Sequence, residues 1–110
     1  MSRPIDPGAA VETMWKTAPL LAKAKAERIY LERYRDSLKA ILMKATNEKT
    51  TAGQEREAYA DPTYIAHLVA LRIAVEAEET LRWRMVASEA AIEVWRTTSA
   101  NDRRIDRAAQ

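Results

Sequence analysis

The stretch Asp61–Arg96, DPTYIAHLVALRIAVEAEETLRWRMVASEAAIEVWR, runs for about a third of the chain with no glycine and no proline beyond its second position. Asp61 is a good N-cap, because its carboxylate can accept a hydrogen bond from an orphan backbone N–H, and Pro62 suits the first helical position, where a missing N–H costs nothing. A helix of roughly 36 residues is about 54 Å long at 1.5 Å per residue, wider than a compact domain of this size. An element of similar length must lie beside it, so the expected fold is all-α.

The residues before it supply that companion. Residues 1–7 contain Pro4 and Pro7 and are expected to be disordered, outside a single helical domain spanning 8–98. From Gly8 the run AAVETMWKTA reads as a short N-terminal helix. Pro19 then starts a second, long helix to about Ala45, since its ring clashes with the preceding turn. On a 3.6-residue wheel Leu20, Ala24, Leu31, Leu38 and Leu42 fall in one sector, with Tyr34, Ile41 and Ala45 at its edge. Lys25, Arg28, Arg35 and Lys39 line the flank of this stripe. They are either solvated stems covering apolar surface or a row tracking a phosphate backbone.

Residues 46–53, TNEKTTAG, form the one obvious loop. Thr51 and Gln54 have the spacing of a capping box, which predicts a short elbow helix ending before Asp61 and two long helices running antiparallel. Along the last helix the apolar residues do not keep one direction. Tyr64, Leu68, Leu71 and Val75 share a face, whereas Leu81, Met85, Ser88, Ile92 and Trp95 share another, rotated by roughly a quarter turn. Ala70, Ala74 and Ala77 bridge the two, and Ile65, Val69, Trp83 and Val94 point elsewhere. One partner helix cannot cover all of these, so the expected state is a helical homo-oligomer. Residues 99–110, with Arg103, Arg104 and Arg107, read as a flexible basic tail after a helix end near Asn101.

Charge is unevenly spread although the net is only +2. Residues 16–49 carry nine basic and four acidic side chains, a balance of +5, and residues 50–81 carry two and six, a balance of −4. Intramolecular pairing and a polyanion-binding face both explain this. The chain has no cysteine, which removes disulfides, a thiol nucleophile and thiolate metal sites. No apolar run reaches membrane-span length and MSRPIDPG lacks a signal-peptide core, so the expected location is the cytoplasm, with no membrane partner.

No residue set suggests catalysis, a cofactor or a metal. His67 is the single histidine and lacks the Glu-x-x-His pairing of helical di-metal sites. Glu76, Glu78 and Glu79 are read as a solvated face in which Glu78 pairs with Arg82 and Glu76 with Arg72, both at i, i+4. What remains is cationic and aromatic. Arg82, Trp83 and Arg84 are consecutive and fan around the helix, Trp95–Arg96 repeats the combination, and Tyr30 and Tyr34 sit one turn apart beside the basic arm. Base stacking with phosphate pairing is how single strands are held without sequence preference, although Trp83 and Trp95 equally suit an interior or an interface.

The blocks YLERYRDSLKAILM, QEREAYADPTY and LRWRMVASEAAIEVWRTTSANDR together resemble a group of small phage recombination proteins and, more distantly, the UvsY family of recombination mediators. The resemblance covers roughly residues 25–104. It implies a helical, ring-forming protein in a bacterial host cell that binds single-stranded DNA and helps a recombinase replace single-strand-binding protein. That family's basic element reads Lys-Ala-basic-Leu, and Lys39-Ala40-Ile41-Leu42 stands nearest to it. Lys39 carries over, and Ile41 occupies the second basic position, whose charge Arg35 or Lys44 can supply from adjacent turns. The expected DNA-binding set is Lys25, Arg28, Arg35, Lys39, Lys44, Arg82, Trp83 and Arg84. A different function class, a phage-encoded protein-interaction module acting as adaptor or inhibitor of a host protein, fits the same apolar faces.

Overall fold

A computed structural model describes residues 4–110. Among them the fold is all-α, with three helices and no strand: α1 is Pro7–Lys44, α2 is Thr51–Ala60 and α3 is Pro62–Ala109. The two long helices pack against each other in antiparallel sense, as the position of Arg28 against Glu78 and of Tyr34 against His67 requires. No helix among the described residues is long and apolar enough to cross a membrane.

Local signals decide the helix ends around α2. Asp61 terminates α2 in extended backbone, its N–H returning to the carbonyl of Ala58. The same residue caps α3, for its Oδ1 accepts from the N–H of Thr63 at 2.8 Å and its carbonyl from Ile65. The cap of α2 is displaced by one residue from the expected box. Thr50, not Thr51, is the N-cap, with its hydroxyl accepting from the N–H of Gly53 at 3.0 Å, and Gln54 Nε2 donates to the carbonyl of Glu48. A Cβ on Gly53 would stand 2.9 Å from Glu48 Oε2 and 3.0 Å from that hydroxyl, so the cap closes over a glycine.

Two expectations about helix extent are corrected. There is no separate N-terminal helix and no restart at Pro19, because α1 passes through this proline unbroken. An interior proline removes one hydrogen bond and costs about 3 kcal/mol. Here the carbonyl deprived of its donor belongs to Trp15, which is 76% exposed, where water can take the bond. The disordered segment predicted for 1–7 falls partly on residues 1–3, outside the described residues, while Pro4–Asp6 are exposed and non-helical and Pro7 opens α1. At the other end α3 does not stop near Asn101 but continues as helix to Ala109, through the whole predicted tail.

Contacts group the chain into two compact units: Ala22–Glu79, and the segment ending at Leu21 together with Thr80–Gln110. The first contains α2, the facing parts of α1 and α3, and, among the described residues, the well-buried apolar side chains Leu38, Ala58, Tyr64, Leu71 and Ala74. In the second the most buried residues are the polar Thr17 and Ser88.

In both units the inward positions follow one rule. On α1 they are Met14, Thr17, Leu21, Ala24, Arg28, Leu31, Arg35, Leu38 and Leu42, and on α3 they are Tyr64, His67, Leu71, Ala74, Glu78, Leu81, Met85, Ser88 and Ile92. Both sets step alternately by three and four residues, the heptad spacing of a coiled-coil seam. On a 3.6-residue wheel such a seam drifts by about 20° per heptad. Over the three heptads from Leu71 to Ile92 the drift comes to about 60°, which accounts for most of the quarter turn between the two expected faces. Those faces are therefore successive stretches of one seam. Leu20, Leu68 and Val75, placed inward by the wheel, and Tyr34 and Ile41, placed at its edge, are exposed.

Candidate nucleic-acid interface

The seam divides the expected basic row. In the Ala22–Glu79 unit Arg28 and Arg35 occupy inward positions, whereas Lys25 and Lys44 are exposed. The Arg28 guanidinium bonds Glu78 through Nε and Nη2 and reaches Glu32 Oε2 through Nη1 at 3.0 Å. These contacts, that to Glu78 foremost, push the Arg28 pKa further above its ordinary range. Glu78 is thus committed across the seam to Arg28, a partner fifty positions away that i, i+4 spacing does not indicate.

Lys39 is engaged with α2. Its ammonium lies 3.6 Å from Glu55 Oε1 and 4.9 Å above the ring centroid of Tyr59. Contact with Tyr59, and secondarily with Glu55, raises its pKa above the ordinary 10.5. Tyr59 in turn meets Tyr64 edge-on with centroids 5.3 Å apart, which ties α2 to the start of α3. The unit as a whole holds ten basic and ten acidic side chains. Of the +5 counted over residues 16–49, Lys16 lies in the other unit and the remaining +4 is offset by the −4 of residues 50–79, so the protein's net positive charge resides in the other unit.

That other unit carries the aromatic and cationic cluster. Trp83 is 57% exposed, the Arg82 guanidinium carbon lies 4.6 Å from its ring centroid, and the neighbouring Arg84 is exposed. Adjacent residues on a helix diverge by about 100°. The stack therefore depends on the long arginine stem folding back, and it is a cation–π contact of the kind that also accepts a base. Trp95, assigned to the Leu81 face, is 42% exposed. Trp15 is the most exposed of the large apolar side chains and was not singled out by sequence reasoning. Its adjacent cation, Lys16, forms the same combination in sequence as Trp95–Arg96, and that is the signal that marks it.

His67 lies half-buried in the seam, where its Nε2 stands 2.7 Å from the carbonyl oxygen of Leu31 and its ring 5.6 Å from that of Tyr34. An imidazole N–H donating to this carbonyl pins α3 onto α1. Tyr34 also stacks on Tyr30 with ring planes 11° apart. Among the described residues no group of three or more His, Asp or Glu side chains is placed to hold a metal ion. No family model matches this chain, nor does any curated protein or solved structure.

Proposed function

We propose that the protein is a non-enzymatic recombination mediator of the phage type, which binds single-stranded DNA without sequence preference as a homo-oligomer and assists loading of a recombinase against single-strand-binding protein. The observation that carries this reading is the exposed Trp83, flanked by Arg82 and Arg84, on the unit that holds the net positive charge. Solvated Lys25 and Lys44 supply further phosphate contacts, whereas Arg28 and Lys39 serve the fold first. The resemblance of the blocks around Lys39 and Trp83 to recombination mediators supports the same reading.

Fluorescence anisotropy on a labelled single strand tests it. Base–aromatic stacking contributes about 1–3 kcal/mol per base, so Trp83→Ala is expected to weaken binding by roughly 5- to 150-fold. Affinity should also fall with salt by about 0.7 log units per log unit for each phosphate contacted. Absence of binding at low salt, or a Trp83→Ala variant with unchanged affinity, removes the proposal. The neutral charge of the Ala22–Glu79 unit favours a second reading, a protein-interaction module. Recovery of one stoichiometric protein partner in nuclease-treated extracts, together with no affinity for single strands, selects it.

A further inference from the structure

Three aromatic rings stand in series in the Ala22–Glu79 unit and lead from the seam to solvent. His67 is half-buried, with Nε2 fixed 2.7 Å from the Leu31 carbonyl oxygen. Its ring meets that of Tyr34, which is 38% exposed, at 5.6 Å. Tyr34 in turn stacks on Tyr30, 61% exposed, with centroids 6.0 Å apart and planes 11° from parallel. Tyr34 covers one side of the Tyr30 ring, and the high exposure of Tyr30 leaves the other side open. A ring already ordered by its neighbours costs less to fix when a flat ligand stacks on it.

The surroundings of this open ring are cationic. Because the seam of α1 follows a heptad repeat, Lys23, Tyr30, Ser37 and Lys44, spaced by seven, fall on one line along the outer side of the helix. All four are exposed. Arg33, three residues after Tyr30, lies on the adjoining line and is exposed as well. Among the described residues no ion pair engages Lys23, Arg33 or Lys44, in contrast to Arg28 and Lys39 on the same helix. Glu27 is the one acidic side chain on these lines of α1 within the unit, so three cations face one carboxylate and the local balance is +2, although the unit as a whole is neutral. From Lys23 to Lys44 the line runs about 32 Å at 1.5 Å per residue, room for several nucleotides.

We propose that Tyr30 and Tyr34 form a base-stacking platform for single-stranded nucleic acid on α1, in addition to the Arg82–Arg84 turn, with Lys23, Arg33 and Lys44 pairing with the phosphates. Every base offers a π-face, and cations placed along its path hold the backbone, which together give affinity without sequence preference. A partner offering negative charge alone leaves the open face of Tyr30 unused. A nucleobase with its phosphate uses both features at once. The proposal rests on the functional reading for the class of ligand and adds a contact in the Ala22–Glu79 unit.

Fluorescence anisotropy on two labelled strands of equal length, an oligo-dT and an abasic strand that keeps only the sugars and phosphates, tests it. Tyr30→Ala is expected to weaken oligo-dT binding by roughly 5- to 150-fold and to leave the abasic strand unaffected. Tyr30→Phe keeps the π-face and should bind like the wild type. Circular dichroism should show unchanged helicity in both variants, since Tyr30 is mostly exposed. Lys23→Ala and Lys44→Ala should weaken both strands, each lowering the salt slope by about 0.7. Equal loss on the two strands overturns the stacking role. So does an unchanged affinity of Tyr30→Ala for oligo-dT, the result expected if the tyrosines dock a protein instead. In that case, binding that still depends on Trp83 removes this site alone and leaves the functional reading standing. Loss at Tyr30 with none at Trp83 supports the platform and removes Trp83 as the carrier of strand binding. A wild type that binds no strand at low salt overturns both.

Discussion

Arg28 on α1 holds Glu78 on α3 with two donors across the seam, Nη2 reaching Oε1 at 3.2 Å, and spends its remaining nitrogen on Glu32 one turn along its own helix. The Glu78 side chain is only 12% exposed and that of Arg28 24%. Removing one partner strands a shielded charge, whereas replacing both by apolar groups relieves it. Glu78→Ala is accordingly expected to lower the urea midpoint of unfolding, and Glu32→Ala, at a more exposed carboxylate, to lower it less. The double variant Arg28→Met/Glu78→Leu should recover most of the loss. Equal effects of the two glutamate variants would show that the inter-helix pair has no special weight.

The heptad seam makes opposite predictions for two leucines that a helical wheel treats alike. Leu38 is 6% exposed and Leu20 51%. Leu38→Ala should therefore destabilise by about 2–4 kcal/mol, in the range of buried leucine truncations. Leu20→Ala should stay within about 0.5 kcal/mol, as surface changes do. Chemical denaturation of the two variants reads the difference, and comparable losses would restore the stripe drawn on a 3.6-residue wheel.

The two threonines before α2 separate in the same manner. Thr50→Ala removes the hydroxyl that accepts from Gly53 and is expected to cost about 1 kcal/mol, the usual value of an N-cap. Thr51→Ala deletes no capping bond and exchanges one exposed helical residue for a better helix former. It should be neutral or slightly stabilising. The reverse order would return the cap to Thr51.

Lys39 adds an alkaline limit to stability. Its pKa is raised by folding, through Tyr59 and then Glu55, so its contribution is fully present below the ordinary 10.5 and is lost as pH rises through the higher folded value. The contact is partly exposed and screened, and the effect is correspondingly small. Unfolding midpoints measured between about pH 10 and 12 should fall less steeply for Lys39→Met than for the wild type. Parallel curves would mean that Lys39 does not sense the fold.

Much of the fold was legible in short segments. Asp61 and Pro62 stop one helix and start the next with groups that act within two residues, and the antiparallel hairpin follows from the lengths on either side. The binding candidates were less legible. The row Lys25, Arg28, Arg35 and Lys39 looks uniform along α1, yet α3 and α2 draw Arg28 and Lys39 into ion pairs and leave Lys25 in solvent. No local pattern distinguishes these lysines and arginines, because the partners that draw them inward, Glu55 for Lys39 and Glu78 for Arg28, lie 16 and 50 positions away.

The amino-acid sequence by itself determined the helical class, the boundary between α2 and α3 at Asp61 and Pro62 and the aromatic and cationic composition of the Arg82–Arg84 turn, all of which depend on capping, propensity and spacing inside one helix. Tertiary structure decided that Pro19 stays within α1, that two apolar faces are one seam and that Arg28 faces inward. The physical reason is common to the three. A helix packed against a long partner is governed by a 3.5-residue repeat and by the total contact along the seam. That sum can outweigh a lost hydrogen bond at one proline and can place a charge opposite its counter-charge, neither of which is encoded in the turn where it occurs.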